Sequence, residues 1–320
     1  MSRLFSVTAI AALVFALFAL PAPDQPTHGE APAHNPSAFS VCPIIEGGGR
    51  TSEVAVASTT GGTTALTLFA NGATAGSIQV GLGDHGATVI PVVDVAAVGT
   101  VGGLVELPVP SAAAATRIQG AQSATLEACV SAIPAQVFLA GGSTSGQRQM
   151  TLHLMNPFAG DAVATMSVTS EVGAESNSRF NRVIVPSRGS TVIEMNEIIP
   201  GREWVTVRID ISQGRVAAAV RQTDGPGTAA WNAVEAATDW FVPVPTGATG
   251  NIVLASAAPG ENEYQVDIYG TEGVEGAAIS GVLTEGSQET ISLEEMAGVR
   301  AVRVVSSLPL VTSLHTGDGI

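Results

Sequence analysis

Lysine is absent from this 320-residue chain, because all 13 of its basic residues are arginine. The absence excludes the chemistry that needs a lysine amine, such as Schiff-base formation, the P-loop lysine and Ser-Lys dyads. Charged residues make up only 13 % of the chain, and 28 of them are Asp or Glu, which leaves a net charge of -15. An acidic chain without a basic run repels phosphate backbones, so we expect no nucleic-acid partner.

Aromatic residues are also scarce, at 4 %, whereas apolar residues make up 45 % of the chain. An apolar content this high can supply hydrophobic cores, and the length accommodates two or three domains. Only one long, uncharged apolar run is present, over residues 4–20, between Arg3 and Pro21. Its position predicts an export signal or a membrane-anchor helix over residues 1–20.

The charges around this run predict its orientation. Positive charge precedes it, at Arg3 and the amino terminus, and Asp24 and Glu30 follow, which places the remaining chain outside the cytoplasm. The run is slightly short for a bilayer core and lacks a good small-residue cleavage site. Two alternatives therefore stay open, a cell membrane anchor with its N-terminus inside and a cleaved signal of a secreted protein.

Residues 21–41 are rich in Pro and Ala and show no periodicity, which is typical of a semi-extended tether. The tether contains His28 and His34. Because no Cys or carboxylate cluster accompanies them, we interpret both histidines as parts of a solvated linker and predict no metal site.

The chain has two cysteines, Cys42 and Cys129. In an exported protein an even pair is typical of one structural disulfide, and a reactive thiol is the alternative. Neither cysteine has a CxxC partner or a neighbouring His, so we predict a Cys42–Cys129 disulfide that restrains the first module.

Alternation of apolar and polar residues is the dominant pattern and predicts half-buried strands. Turn signals such as Asn71-Gly72 and Gln213-Gly214 separate these strands at spacings typical of antiparallel sandwiches. The predicted fold is therefore all-β, with tandem antiparallel β-sandwich (Ig-like) modules after the N-terminal apolar helix. Helical patterning is limited to one short helix over residues 228–238 and a turn over residues 293–296.

A weak repeat of about 100 residues divides the chain, a period that matches one sandwich per copy. Its copies align Ile90, Val92 and Asp94 with Ile193, Met195 and Glu197, and with Ile291, Leu293 and Glu295. An upstream hairpin aligns Leu66 and Leu68 with Leu152 and Leu154, and with Ile252 and Leu254. We predict modules over residues 42–132, 133–243 and 244–320, against the alternative that alternating strands align by chance.

Two glycine-rich segments resemble catalytic or nucleotide-binding motifs. Gly81, Gly83 and Gly86 satisfy G-x-G-x-x-G, but the residues that follow predict a strand, which favours a hairpin turn over a dinucleotide site. The segment GGSTSG, residues 141–146, has Thr144 where a nucleophile elbow needs Ser. We interpret it as a flexible loop, with an anion-binding loop as the alternative.

Other chemically interesting residues have structural explanations. His153 alternates with Leu152 and Leu154, which places it on the opposite face of its strand. Paired carboxylates such as Glu294 and Glu295 are expected to be solvated surface. Trp and Tyr rings are available for sugar stacking, but filling cores and module joints is the simpler role; they are Trp204, Trp231, Trp240, Tyr264 and Tyr269. We predict no catalytic, cofactor-binding or metal-ligating residue.

The segment CVSAIPAQVFLAGGSTSGQRQMTLHLMNP, residues 129–157, resembles the central signature of an actinobacterial domain-of-unknown-function family, family 5719. The matching positions are Cys129, Gly141, Gly142, Ser143, Thr144, Arg148, Asn156 and Pro157. Phe138 stands where the family often has Trp, and the third module matches loosely. The resemblance implies a secreted or membrane-anchored location and no assigned activity.

Together these features predict an extracytoplasmic structural or adaptor protein of the cell envelope, without catalytic activity or cofactors. Its partner would be an envelope protein, with membrane contact through the N-terminal helix. The alternative is a carbohydrate-binding protein that recognises a cell-wall glycan. In that case, changing Trp231 or Trp240 to Ala would abolish glycan binding.

Overall fold

The computed structural model describes residues 39–45, 51–70, 73–95, 101–109, 111–119, 124–225, 227–245, 250–270, 273–274, 279–293 and 298–316. Within these residues the chain forms antiparallel β-strands, and its helices are three-residue 3-10 turns, which confirms the all-β prediction. No helix in the described part has the length and apolar character to cross a bilayer. The predicted N-terminal helix and most of the tether lie outside the described residues.

Strands β1 to β8 form unit 1, a two-layer sandwich. Their bounds are β1 Phe39–Ile45, β2 Thr51–Ser58, β3 Gly62–Ala70, β4 Ala73–Leu82, β5 Gly86–Pro91, β6 Val101–Glu106, β7 Ala113–Gln119 and β8 Ala124–Ala128, with a 3-10 turn at Val92–Asp94. One sheet has the order β1-β6-β3-β4 and the other β5-β2-β7-β8. Apolar side chains of both sheets share one core, as Val54 of β2 and Leu66 of β3 show.

Strands β9 to β17 form unit 2. Their bounds are β9 Gln136–Gly142, β10 Arg148–Asn156, β11 Ala162–Ser170, β12 Gly173–Glu175, β13 Val183–Val185, β14 Gly189–Glu194, β15 Val205–Gln213, β16 Ala217–Asp224 and β17 Gly227–Asn232, with 3-10 turns at Ser178–Phe180 and Met195–Glu197. The sheets have the orders β9-β15-β11-β12 and β14-β10-β16-β17, and β13 also pairs with β11.

Strands β18 to β24 form unit 3. Their bounds are β18 Ala237–Pro243, β19 Gly250–Ser256, β20 Asn262–Gly270, β21 Gly273–Val274, β22 Ile279–Leu283, β23 Gln288–Ser292 and β24 Ala301–Thr316. The first part of β24 pairs with β18 and β20, and its last part, from Leu310 onward, pairs with β19. One strand therefore serves both layers of unit 3.

The same pairing order recurs in all three units. Strands β2, β10 and β19 occupy equivalent places, because Val54 lies opposite Ile90, Leu152 opposite Ile193 and Ile252 opposite Ile291. The alignment of Leu66 and Leu68 with Leu152 and Leu154 is wrong, because Leu66 and Leu68 belong to β3, whose counterpart in unit 2 is β11. Both strands alternate apolar and polar residues, so alternation alone cannot distinguish neighbours.

Two local predictions are also wrong. The predicted helix over residues 228–238 is replaced by β17 and the start of β18, because β17 pairs along its length with β16 and alternates buried and half-buried residues. Burial in a sheet overrides the helix propensity of its alanines. The expected hairpin turn at Gly83 instead joins β4 and β5, which belong to different sheets.

Cys42 and Cys129 form a disulfide with an S–S distance of 2.00 Å. The bond joins β1 to the segment that leaves β8, and Val41 and Val130 exchange backbone hydrogen bonds of 2.7 and 2.8 Å beside it. A disulfide persists in an oxidising compartment, which indicates an extracytoplasmic location. It also fixes where the chain leaves unit 1 and enters unit 2.

Units 1 and 2 pack through the outer face of β10 and β16. Met155 packs with Val41 and Phe69, and Ala219 packs with Ile44. This face of the sheet is therefore buried, although in a single sandwich it would meet water.

Units 2 and 3 pack through β9, which lies against β19 and β24. Phe138 and Ala140 of β9 form an apolar cluster with Ala255 and Val311. Phe138 of β9 also forms an antiparallel β-bridge with Val234, which follows β17. The two unit junctions thus lie at opposite sheets of unit 2.

Candidate functional site

A cleft of about 1020 Å³ opens where the three units meet. Unit 2 supplies most of its walls, from β9, β16 and β17. The segment after β8 closes one side, and the end of β24 closes the other. A concave site of this size at a junction between domains is where small ligands commonly bind.

Two tryptophans and one histidine form an aromatic wall of the cleft. The ring of His315 lies 5.3 Å from that of Trp204 and 5.7 Å from that of Trp231, between ring centroids. Both contacts are edge-to-face, at interplanar angles of 64° and 81°, a favourable geometry for aromatic pairs. Trp204 precedes β15 and Trp231 lies near the end of β17, so the tertiary structure brings them together.

The His315 ring is held from two further sides. Ser313 Oγ lies 2.9 Å from its Nε2 atom, and the Ala140 backbone also hydrogen-bonds the ring. Burial, with a smaller contribution from the charge of Arg148, lowers the pKa of His315 to about 4. The imidazole is therefore neutral at neutral pH and acts as a fixed part of the aromatic wall.

The three tryptophans differ in how their indole N–H groups are used. Trp240 Nε1 donates to the backbone oxygen of Leu310 at 2.9 Å and to that of Ala237 at 3.2 Å. Trp231 Nε1 is buried and has no acceptor among the described residues. A buried donor without a partner is costly, so Trp231 is suited to receive an acceptor atom from a ligand or water. Trp240, by contrast, is tied into the unit 3 junction.

A charged group forms the polar rim of the cleft. Arg148 Nη1 donates to Glu203 Oε2 at 3.3 Å, and its Nε donates to Asp224 Oδ2 at 3.4 Å. Ser145 Oγ donates to the other oxygen of Glu203 at 2.7 Å. One guanidinium thus pairs with two carboxylates, which keep free lone pairs, and the three groups together carry one net negative charge.

Gly141 and Ser143 of the glycine-rich segment 141–146 line the cleft, and hydrogen bonds hold the segment in place. Ser143 N donates to Gln222 Oε1 at 2.8 Å, Thr144 N donates to Arg202 O at 2.8 Å, and Thr144 Oγ1 donates to Ile199 O at 2.6 Å. Ser143 and Thr144 are buried. The expected flexible loop is therefore wrong, and the amides of these two residues are occupied by protein acceptors rather than open to an anion.

Glu127 of β8 lies on the unit 1 side of the cleft. Burial raises the pKa of Glu127 to about 7, partly offset by a hydrogen bond from the Asn232 backbone. The Asn232 side chain also donates from Nδ2 to Glu127 Oε2 at 3.2 Å. Near neutral pH this carboxyl is protonated in a large fraction of molecules and can donate a hydrogen bond. The described residues contain no group of three or more His, Cys, Asp or Glu arranged to hold a metal.

Fold and site together define an all-β protein of three similarly connected two-layer units with an aromatic cleft between them. Residues 109–231 match the model of a family described as "Family of unknown function (DUF5719)". The matched segment contains Arg148, Glu203, Trp204, Asp224 and Trp231, and His315 lies beyond it. The predicted actinobacterial source and envelope location of the family stay predictions.

Comparison with other proteins adds little. No curated protein matches the chain. Among solved structures, the crystal structure of Streptomyces avermitilis alpha-L-rhamnosidase complexed with L-rhamnose is similar at a TM-score of 0.21 and 9 % identity, over 90 % of this chain and 44 % of the enzyme chain. The chain thus spans less than half the length of that enzyme.

No sequence motif contains Glu203, Asp224 or His315. These residues come together only through strand pairing and the junction of units 2 and 3. Of the signature positions that line the cleft, which include Gly141, Ser143 and Arg148, it is Gly141 that lies against His315. Gly141 has φ of +83°, and a Cβ built on it would overlap His315 Nε2. Only glycine combines this backbone conformation with so close an approach.

We expect Gly141→Ala to destabilise the protein and to displace His315. A residue with a Cβ at positive φ costs about 1–3 kcal/mol, and overpacking costs about 1–3 kcal/mol more. Gly146→Ala is the matched control, because Gly146 has φ of +62° and no atom within 4 Å of its built Cβ. Urea unfolding followed by tryptophan fluorescence measures both. Equal losses in the two variants would show that contact with His315 is unimportant.

Buried histidine makes stability depend on pH. His153 lies on the opposite face of β10 from Leu152 and Leu154, as expected, but unit 1 covers that face and leaves His153 only 1 % exposed. Burial, with a smaller contribution from the charge of Arg221, lowers the pKa of His153 to about 3. Since its folded pKa lies below its unfolded pKa, its stabilising effect is complete above the unfolded pKa and is lost as the pH falls. Glu127 has the opposite effect on stability. Because its folded pKa is raised, its stabilising effect is lost as the pH rises.

Acidification from about pH 7.5 to about pH 5 should remove about 2 kcal/mol of stability through His153 alone. We therefore expect His153→Gln to be less sensitive to acid than the native protein, and Glu127→Gln to be more sensitive. His85→Gln, which removes an exposed imidazole, is the control. Urea unfolding at both pH values measures these differences, and a native pH dependence in His153→Gln would contradict the assignment.

Proposed function

We propose that this chain is an extracytoplasmic, non-catalytic binding protein of the cell envelope, and that its central cleft holds a saccharide of a cell-wall glycan. The convergence of Trp204 and Trp231 beside the Arg148–Glu203–Asp224 group carries this proposal. In the sequence these residues are dispersed over more than one strand and loop, so their assembly in one cleft is a property of the fold.

The chemistry of the cleft suits a sugar. The C–H face of a pyranose ring packs against an indole, and its hydroxyl groups donate to carboxylates and accept from guanidinium or indole N–H groups. Arg148, Glu203 and Asp224 are already fixed by one another, so binding would order few side chains. The unpartnered N–H of Trp231 offers a donor that a sugar oxygen can accept.

The location and the non-catalytic role are parts of the same proposal. The disulfide supports export, and we infer that residues 1–20 tether the chain to the membrane or direct its secretion. Glu203 and Asp224 share one guanidinium at 3.3 and 3.4 Å, and this pairing suits them to hold hydroxyl groups. A tethered chain with such a cleft would hold a glycan close to the membrane surface.

We expect Trp204→Ala to weaken binding to cell-wall oligosaccharides on a glycan array, with at least a tenfold loss of affinity, or about 1.4 kcal/mol. The loss follows from removing a stacking surface while Trp231 stays in place. Trp240→Phe is the control, because it keeps an aromatic ring in the cleft lining and removes only an N–H that serves the protein backbone, so it should lower stability without lowering affinity. An array that is blank for the native protein would refute the proposal, as would equal affinities of native protein and Trp204→Ala.

A second candidate function, an adaptor for another envelope protein, is favoured by strand β4. This edge strand of ten residues contains no charged residue and no proline, and in the described part of the chain it pairs only with β3. Natural edge strands usually carry such residues to prevent pairing with other chains. Ser77 and Gln79 are exposed along it. An open, uncharged edge could accept a strand of a partner.

We expect Gln79→Lys to reduce capture of the partner protein from crosslinked envelopes by at least about fivefold, because a charge on an edge strand opposes strand addition. Gln119→Lys is the matched control, since Gln119 is exposed in β7 but pairs with strands on both sides. Quantitative mass spectrometry compares the retained proteins. Identical capture by the two variants would remove the support for the adaptor.

A further inference from the structure

An aromatic pair, one ring of it exposed and the other half-buried, marks the outer face of unit 3. Phe241 of β18 is 64 % exposed, an unusual value for a ring this large. The Tyr269 ring of β20 lies 6.0 Å from it between centroids, at an interplanar angle of 56°. This pair is separate from the cleft, because neither residue lines it.

Strand register places hydrogen-bonding groups beside the two rings. Phe241 lies opposite Arg303, which lies opposite Asp267, and all three point to the outer face. Arg303 donates from Nε and Nη2 to the two oxygens of Asp239, at 2.9 and 2.7 Å. These side chains are held in place by one another before any ligand arrives.

The polar groups continue into a shallow groove of about 600 Å³ on the same face. Gln265 Nε2 donates to Asp267 Oδ1 at 2.7 Å, which links the groove to the aromatic pair. Hydroxyl and carboxylate groups line the groove, at Ser280, Ser307 and Glu263, and Val305 adds an apolar surface. Planar rings beside fixed donors and acceptors are the complement of a sugar chain, which has apolar ring faces and hydroxyl edges.

We infer that the outer face of unit 3 is a second saccharide-binding site, which takes a soluble, uncharged polysaccharide chain across Phe241 and Tyr269. The tilt of the rings excludes a flat crystalline surface, because two rings at 56° cannot both lie on one plane. The charge balance favours an uncharged chain, since Arg303 is neutralised by Asp239 while Asp267 and Glu263 leave the face acidic.

This inference rests on the proposed function for its class of ligand, a saccharide. The residues of the second site are separate from those of the cleft. Two sites on one chain would bind one polysaccharide with higher avidity than either site alone, provided that the polymer spans both. The cleft would hold a few sugar units, and the open face of unit 3 would hold a longer run.

The test is affinity electrophoresis of the full chain through gels that contain soluble β-glucan, mannan, arabinan or galactan, with polygalacturonate as the charged comparison. We expect an uncharged polymer to retard the native protein, Phe241→Ala to weaken this retardation at least fivefold, and Phe241→Tyr to restore it. Val172→Ala is the control, since Val172 is an exposed apolar residue of unit 2, at 69 % exposure. Thermal unfolding verifies that each variant is folded.

The outcomes separate the two sites. Retardation that Trp204→Ala abolishes and Phe241→Ala leaves unchanged would overturn the second site and support the cleft. The reverse result would support the second site and refute saccharide binding in the cleft. A native protein that no uncharged polymer retards, or that polygalacturonate retards most strongly, would overturn this inference.

Discussion

The close approach of β9 to β24 at Gly141 is the constraint on which the site depends. Gly141 has a left-handed backbone, and the absence of a side chain lets His315 lie directly against it. His315 then makes edge-to-face contacts with both Trp204 and Trp231, which come from unit 2. Without this approach the last strand of unit 3 would lie farther from unit 2, and the aromatic wall would lose the ring that joins its two indoles.

Much of the fold follows from the sequence. The parts that could not be predicted have one physical cause in common. Period-two alternation predicts strands such as β2, β10 and β19 correctly, because each buries one face in its own sandwich. Alternation gives no information on pairing partners, so it aligns Leu66 and Leu68 with the wrong strand of unit 2. Likewise, the alanines of β17 favour a helix locally, and only pairing with β16 makes them a strand.

The candidate site could be predicted only in fragments. The disulfide follows from two cysteines in an exported chain, and alternation along β10 predicts His153 on the face opposite Leu152 and Leu154. That this face is buried depends on packing between units, which no local pattern records. The same applies to His315, which meets Trp204 across more than a hundred residues of chain. Contacts within a unit produce a periodic pattern of apolar residues in the sequence. Contacts between units depend on single residues, such as a glycine at positive φ.

The net charge of the chain bears on which ligands the two proposed binding surfaces can take. A net charge of -15 disfavours approach of anionic polymers, whether they carry phosphate or carboxylate groups. At each surface one arginine engages neighbouring carboxylates, Arg148 with Glu203 and Asp224, and Arg303 with Asp239. This arrangement removes free positive charge and leaves oriented acceptors for hydroxyl groups. A long, uncharged ligand with many hydroxyl groups is therefore the class that both surfaces can bind without working against the charge of the whole molecule.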